Sequence, residues 1–326
     1  MIDFAAANAA LGRADGILIV THSDPDGDAI GSLLGLGNAL RAQGIKVACA
    51  VDGGVPAFLQ FLPHADQVLS TLPGMQADLL ICLDANQPER VGQVGAQGMA
   101  SCSTVINLDH HVSNTGFGDI QLVVPEAAAA CEVVFHWLRS LSLPLTVEVA
   151  QPLLTGLVTD TLGFRTSNVR AATLQIALEL MGPGISLYDI VAQTFEKRPI
   201  ADLLLWQEVL PSLTLEEGVA AAQIRVEDCW RAGLEPGEDG DLPSLLRSTA
   251  ESRVAVVFRE MKDGSVSLSM RSKPPCDVAQ VAVALGGGGH AQAAGATIAG
   301  PLQAARERVL PLLHAAANGG SATTRS

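Results

Sequence analysis

Three short apolar runs in this chain each end on polar chemistry. Ile17 to Val20 leads to His22, Leu79 to Leu83 to Asp84, and Val105 to Leu108 to Asp109-His110-His111. A fourth run, Val47 to Val51, is of the same kind, and segments of helical period such as Ala29 to Leu40, expected to be amphipathic, lie between the runs. Apolar runs alternating with helical stretches predict a mostly parallel sheet with helices on both faces, an α/β fold. In such a sheet the carboxyl ends of the strands line one crevice, so the polar groups that follow each run converge there.

The densest of these segments is His22-Ser23-Asp24-Pro25-Asp26-Gly27-Asp28. Asp, Pro and Gly are ordinary turn residues, and Asp28 is placed to cap the helix that follows. A turn does not need an imidazole and several carboxylates, however. Two like charges about 4 Å apart repel by roughly 4 kcal/mol at an effective dielectric of about 20, and a cation removes that penalty. Asp84, His110 and Asp160 supply more donors of the same type from separate segments. Two imidazoles and four carboxylates with no thiolate suit a pair of hard divalent ions rather than zinc or an iron-sulfur cluster. Two such ions about 3.5 to 4 Å apart can share a carboxylate and a hydroxide, which attacks phosphorus in line. The chemistry expected is phosphoester hydrolysis. Because two divalent ions only balance four carboxylates, further cations must meet the anionic transition state, and His111, Arg165 and Arg271 are the candidates.

Composition sets limits on the partners. With 326 residues, 48% hydrophobic, the chain has the length for two domains with real cores. Its formal net charge of -14 argues against a surface that holds long duplex nucleic acid through phosphate contacts. The six cysteines show no CxxC spacing and read as buried, reduced thiols. No leader or bilayer-spanning run is visible, so a cytoplasmic location and no membrane partner are expected.

From Pro125 the chain turns helical, over Glu126 to Leu141, Val147 to Val158 and Arg170 to Leu180, with Asp160 just past the second of these. Strands are predicted again at Val219 to Val226, Arg253 to Met261 and Ser265 to Met270, with Asp263-Gly264 as a hairpin turn. These define a smaller α+β domain closed by helices at Asp277 to Leu285 and Leu302 to Ala316. The division expected is a metal-binding domain over 1–185, a helical connector over 186–214, a substrate-binding domain over 215–317 and a frayed tail over 318–326. Between the last two helices lies Gly286-Gly287-Gly288-Gly289-His290. One glycine would cap a helix, whereas four open a loop whose backbone N–H groups can approach a phosphate, with His290 as a further donor.

The HxxxDxD spacing of His22, Asp26 and Asp28, Leu83-Asp84, Asp109-His110-His111-Val112-Ser113-Asn114, Asp160-Thr161 with Phe164-Arg165, and the GGGGH run occur in one order across nearly the whole chain. Together they resemble the DHH/DHHA1 phosphoesterases, specifically the two-domain group of oligoribonucleases (nanoRNases) that are also pAp phosphatases. The resemblance implies two Mn2+ ions per site, with Mg2+ or Co2+ as substitutes. It assigns His22 and Asp26 to one ion, Asp28, His110 and Asp160 to the other, and Asp84 to both. It also implies that Asp109 orients His110, that His111 meets the substrate phosphate, and that Arg271, Ser272 and the Gly286 to His290 loop hold the far end of the nucleotide. Ala85-Asn86 and Thr115 depart from the family pattern at positions that bear on substrate preference. The activity expected is release of 5'-mononucleotides from very short oligonucleotides, with dephosphorylation of pAp. Alternatives are a cyclic-di-AMP or pApA phosphodiesterase, a pyrophosphatase or exopolyphosphatase, and a non-catalytic nucleotide-binding module. A homodimer would fit the resemblance.

Overall fold

The computed structural model describes residues 2–72, 74 and 77–319. The chain forms two compact units, Met1–Lys197 and Arg198–Ser326. The stretch expected as a connector over 186–214 is divided between them, and of the expected tail only Asn318 and Gly319 are described, residues 320–326 lying outside.

The first unit contains α1 (Ala5–Leu11), β1 (Ile17–Val20), α2 (Gly27–Ala42), β2 (Val47–Ala50), β3 (Leu79–Leu83), α3 (Gly92–Ser101), β4 (Thr104–Asp109) and β5 (Ile120–Val123). Helices α4 (Ala130–Ser140), α5 (Val147–Asp160), α6 (Ala171–Met181) and α7 (Leu187–Thr194) follow. Its five strands are all parallel, in the order β2-β1-β3-β4-β5. Every residue of β1 and β3 is buried, which is why these strands read as unbroken apolar runs rather than alternating ones. Ile17, Ile19, Ile81 and Ile106 face the core shared with α2, α4 and α5, while Leu18, Val20, Leu80 and Cys82 pack on the other face against Val91 and Val94. The strand order reverses between β1 and β3, and in a doubly wound sheet a crevice opens there at the carboxyl ends.

Helix α2 departs from expectation in two ways. Asp26 caps it, not Asp28: its Oδ1 accepts the amides of Asp28 and Ala29, each at 3.0 Å. The helix is also not amphipathic, since residues 27 to 40 are all buried. Gly27, Gly31 and Gly35, spaced four apart, face α5 so closely that added Cβ atoms would lie 2.1 Å from Thr159 Oγ1, 2.5 Å from the Pro152 carbonyl and 2.5 Å from Leu153 Cδ2. Helix α4 starts at Ala130, later than its alanine-rich approach suggests, because Ala129 is extended and the amide of Ala128 is taken by the buried Glu132 carboxylate at 3.1 Å.

The second unit contains α8 (Ile200–Val209), β6 (Thr214–Glu216), β7 (Val219–Ile224), α9 (Val226–Ala232), α10 (Leu242–Ser248), β8 (Val254–Glu260) and β9 (Ser265–Ser272). After these come α11 (Ala279–Ala284), β10 (Gly288–His290), β11 (Ala293–Ala299) and α12 (Leu302–Ala317). The sheet runs β10-β11-β9-β8-β7-β6, antiparallel except for the β7–β8 pair. Val254, Val256 and Phe258 share one core with α11 and α12, and Ala255 and Val257 share another with α8, α9 and α10. The β8–β9 hairpin turns at Asp263-Gly264, where Asp263 Oδ1 accepts the Ser265 amide and Gly264 has φ +80°.

The glycine run is a correction. Gly288 to His290 is not an open loop but an edge strand paired with β11. Cβ atoms on Gly287 and Gly289 would lie 2.1 Å from the Gly295 carbonyl and 2.5 Å from the Ala293 carbonyl, so packing requires both glycines. Gly288 faces open space. All six cysteines are free thiols. Among the described residues no helix is long and apolar enough to cross a membrane.

Candidate metal centre

The six donors named from the sequence come together at the carboxyl ends of β1, β3 and β4. His22 follows β1, Asp26 caps α2 and Asp28 sits in its first turn. Asp84 follows β3, His110 follows β4, and Asp160 is the last residue of α5. Three triads form, each with its ligand atoms within 4.8 Å of one another: His22, Asp26 and Asp84; Asp28, His110 and Asp160; and, joining these two, Asp84, His110 and His111. Asp84 links the first triad to the second, its Oδ2 3.5 Å from His22 Nε2 and its Oδ1 3.6 Å from His110 Nε2. His110 Nε2 is also 3.9 Å from Asp28 Oδ2 and 3.8 Å from Asp160 Oδ2.

Local structure holds these groups in place. The Thr21 hydroxyl donates to the Leu83 carbonyl at 3.0 Å, tying the end of β1 to the end of β3. Asp84 has φ +53°, a left-handed conformation rarely adopted by a non-glycine residue, and its amide donates to the Leu108 carbonyl. Asp28 is buried, and its two oxygens accept the amides of Ala130 and Cys131 at the start of α4. The close α2–α5 contact brings Asp28 alongside Gly156, one turn before Asp160.

The electrostatics describe a site short of positive charge. Burial pushes the carboxyl of Asp28 up to about 7 and that of Asp160 up to about 8, with neighbouring carboxylates adding to the effect. Burial would lower His110, but Asp28, Asp84, Asp160 and Asp109 outweigh it and hold the imidazole up at about 9. Burial would raise Asp84, yet the hydrogen bond from His22 and the charge of three histidines bring it down to about 2. Neither Asp84 Oδ1 nor His22 Nδ1 has a hydrogen-bond partner among the described residues, although both are buried. Buried acceptors without donors, beside carboxyls that hold protons near neutrality, fit divalent cations.

The other site residues separate into different places. Asp109 is buried and bonds His111, not His110 as expected from the sequence, with His111 Nδ1 2.7 Å from its Oδ1. Arg165 is exposed on a turn where Leu162, Gly163 and Phe164 all have positive φ, and its Nε donates to the Leu162 carbonyl at 2.6 Å. In the second unit Arg271 and Gly286 to Gly289 line a concavity of about 650 Å³. The His290 side chain lies outside the described residues. Ser272 does not face the concavity: it is fully buried, its hydroxyl shared between the carbonyls of Cys276 and Ala291. Along β9 every second residue is buried, so Ser272 and Arg271 point to opposite faces. Two further groups were missed. Arg259 lines the same concavity and donates to Ser267 Oγ at 2.9 Å, a neighbour set by the β8–β9 register. Asn107 and Asn114 knit the loops behind Asp84 and His111.

Comparison with known proteins identifies the family. Residues 16–157 match the DHH family, N-terminal domain, and residues 216–318 match the DHHA1 domain. The bifunctional oligoribonuclease and PAP phosphatase NrnA of Thermus thermophilus is 38% identical over 299 residues, covering 90% of this chain and 88% of the relative. The chain belongs to the DHH family. As a DHH protein it is a hydrolase of the phosphoesterase type. The protein of the same name from Bacillus subtilis is 29% identical over 291 residues, covering 87% of this chain and 90% of that one. A solved exopolyphosphatase-related protein from Bacteroides fragilis superposes with a TM-score of 0.87 at 27% identity, over 96% of this chain and 95% of the other.

Proposed function

We propose that this DHH protein is a manganese-dependent phosphoesterase that releases 5'-mononucleotides from very short oligonucleotides and removes a phosphate from pAp. The observation that carries the reading is the set of donor triads meeting at Asp84. The names of the two NrnA relatives support the substrate class.

In this reading His22, Asp26 and Asp84 would hold one divalent ion and Asp28, Asp84, His110 and Asp160 the other. Bound there, two such ions supply Lewis acidity to phosphoryl oxygens and an activated water. The protein's own groups do the rest. His111, bonded to Asp109 through Nδ1 and 3.6 Å from Asp84 Oδ1, is the candidate contact for the substrate phosphate. Arg165 is a candidate for charge stabilisation, and Arg271 with the edge strand β10 is the candidate surface for the nucleoside portion. A net charge of -14 argues against a surface that retains a long strand through phosphate contacts, which favours short substrates.

The test is a manganese-supplemented panel of pAp, pApA, cyclic-di-AMP, RNA and DNA of two to five nucleotides, a long RNA and pyrophosphate, compared by kcat/KM. Short RNA and pAp should lead. Rapid turnover of pyrophosphate with none of the nucleotides would overturn the substrate assignment, and preference for cyclic-di-AMP or pApA would replace it with the phosphodiesterase reading.

A further inference from the structure

Behind His111 lies a hydrogen-bonded chain, buried at Asp109 and Asn107 and partly exposed at Asn114, that no role in the proposed reaction yet uses. The Gly116 amide donates to Asn114 Oδ1 at 2.7 Å. Since an amide N–H can only donate, the side-chain oxygen of Asn114 must face Gly116 and its NH2 group must face the other way. That NH2 group is 2.7 Å from Asp109 Oδ2 and 2.8 Å from Asn107 Oδ1, so both of its protons have acceptors. Asn107 in turn donates to the carbonyl of Ala85, directly after the left-handed Asp84. Asp109 is fully buried, and its remaining oxygen meets His111 Nδ1 at 2.7 Å. With Asp109 as the ionised carboxylate both of its oxygens can only accept, so the proton of the His111 contact sits on Nδ1.

We infer that Asn114 is a positioning residue which, through Asp109, fixes the proton of His111 on Nδ1 and holds the ring beside Asp84. The directions of the Asn114 and Asn107 bonds follow from one backbone N–H, that of Gly116. The loop carrying the chain is itself anchored, because the Thr115 amide donates to the Asn86 carbonyl and Asn86 Nδ2 donates to Ser113 Oγ, each at 2.8 Å. Outer partners of this kind set the tautomer and orientation of an imidazole, and their loss typically costs about 10- to 100-fold in affinity or activity. The inference deepens the phosphoesterase reading and rests on it only for its kinetic consequences.

Two variants separate donation from shape. Asn114→Asp keeps the size and the acceptor for Gly116 but turns an acceptor toward Asp109, while Asn114→Ala removes both bonds. The readout that needs no substrate is NMR of the magnesium-loaded full chain with 15N-labelled histidine, His111 being assigned through His111→Gln. In the wild type His111 should carry a slowly exchanging proton on Nδ1. In both variants that proton should exchange about tenfold faster or more. An unprotonated Nδ1 in the wild type, or unchanged exchange in the variants, would overturn the inference whether or not any phosphoester is hydrolysed. Should Asn114→Ala not fold, the Asn114→Asp comparison decides alone. With an active wild type, Asn114→Ala should lower kcat about tenfold or more with KM and metal content unchanged, and should add nothing in a His111→Ala background. Additive losses, or loss of metal, would mean that Asn114 acts elsewhere.

Discussion

Asp84 concentrates the site in one side chain. It links the triads, sits in a left-handed backbone and is the one clustered carboxyl held at about 2 while its neighbours are held up. Asp84→Ala should therefore abolish turnover, by on the order of a thousandfold or more, and weaken both metals rather than one. Calorimetric titration with Mn2+ checks this, and retention of one tight site would remove the shared role. The raised groups also set a pH dependence for the metal-free protein. Asp28 and Asp160 move from 3.8 to about 7 and about 8, so the stability they contribute is present below the unfolded value and lost as pH rises through those values. His110, raised from 6.5 to about 9, contributes in the same sense at higher pH. Asp84 has the opposite sign, but its contribution is lost only as pH falls toward about 2. Metal-free protein should thus melt at progressively lower temperature from about pH 5 to about pH 9, and added Mn2+ should remove most of that slope. A melting temperature that rises over this range without metal would contradict the assignment.

At the scale of elements, the glycines of α2 decide how near Asp28 and Asp160 approach. A methyl group at Gly31 would meet a backbone carbonyl, that of Pro152, which cannot swing aside as a side chain can. Gly31→Ala should cost about 1 to 3 kcal/mol in denaturant unfolding and should weaken metal binding, although residue 31 is not a donor. Much at this scale was readable from the residues. Strands β1, β3 and β4 are short apolar runs bounded by turns, and their terminal polar groups marked the crevice. What went unread had weaker local signals. The four-residue spacing of Gly27, Gly31 and Gly35 was visible, but its meaning depends on a helix more than a hundred residues away. The later start of α4 is likewise set in part by long-range bonds, from Ala130 and Cys131 to Asp28, beside the local one from Ala128 to Glu132. Strand β10 was hidden because glycine has little strand propensity and no side chain to alternate. The error at Ser272 was avoidable, since the two-residue period of β9 already puts it opposite Arg271.

For the whole molecule, each unit has its own core and its own chemistry: the donors belong to the first, the open sheet edge with its arginines to the second. Substitutions in the second unit should accordingly alter substrate use without altering metal content. Gly288, which faces open space, tests this cleanly. Gly288→Val should lower kcat/KM for nucleotides about tenfold with metal stoichiometry and melting temperature intact, whereas Gly287→Val should destabilise the unit by driving a side chain into β11. Metal loss in Gly288→Val would place β10 in a different role. Where α2 crosses α5, Gly27 and Gly35 face the side chains of Thr159 and Leu153, but Gly31 faces the backbone carbonyl of Pro152. The separation of Asp28 from Asp160 is thereby referred to one fixed backbone contact rather than only to side chains that can rotate.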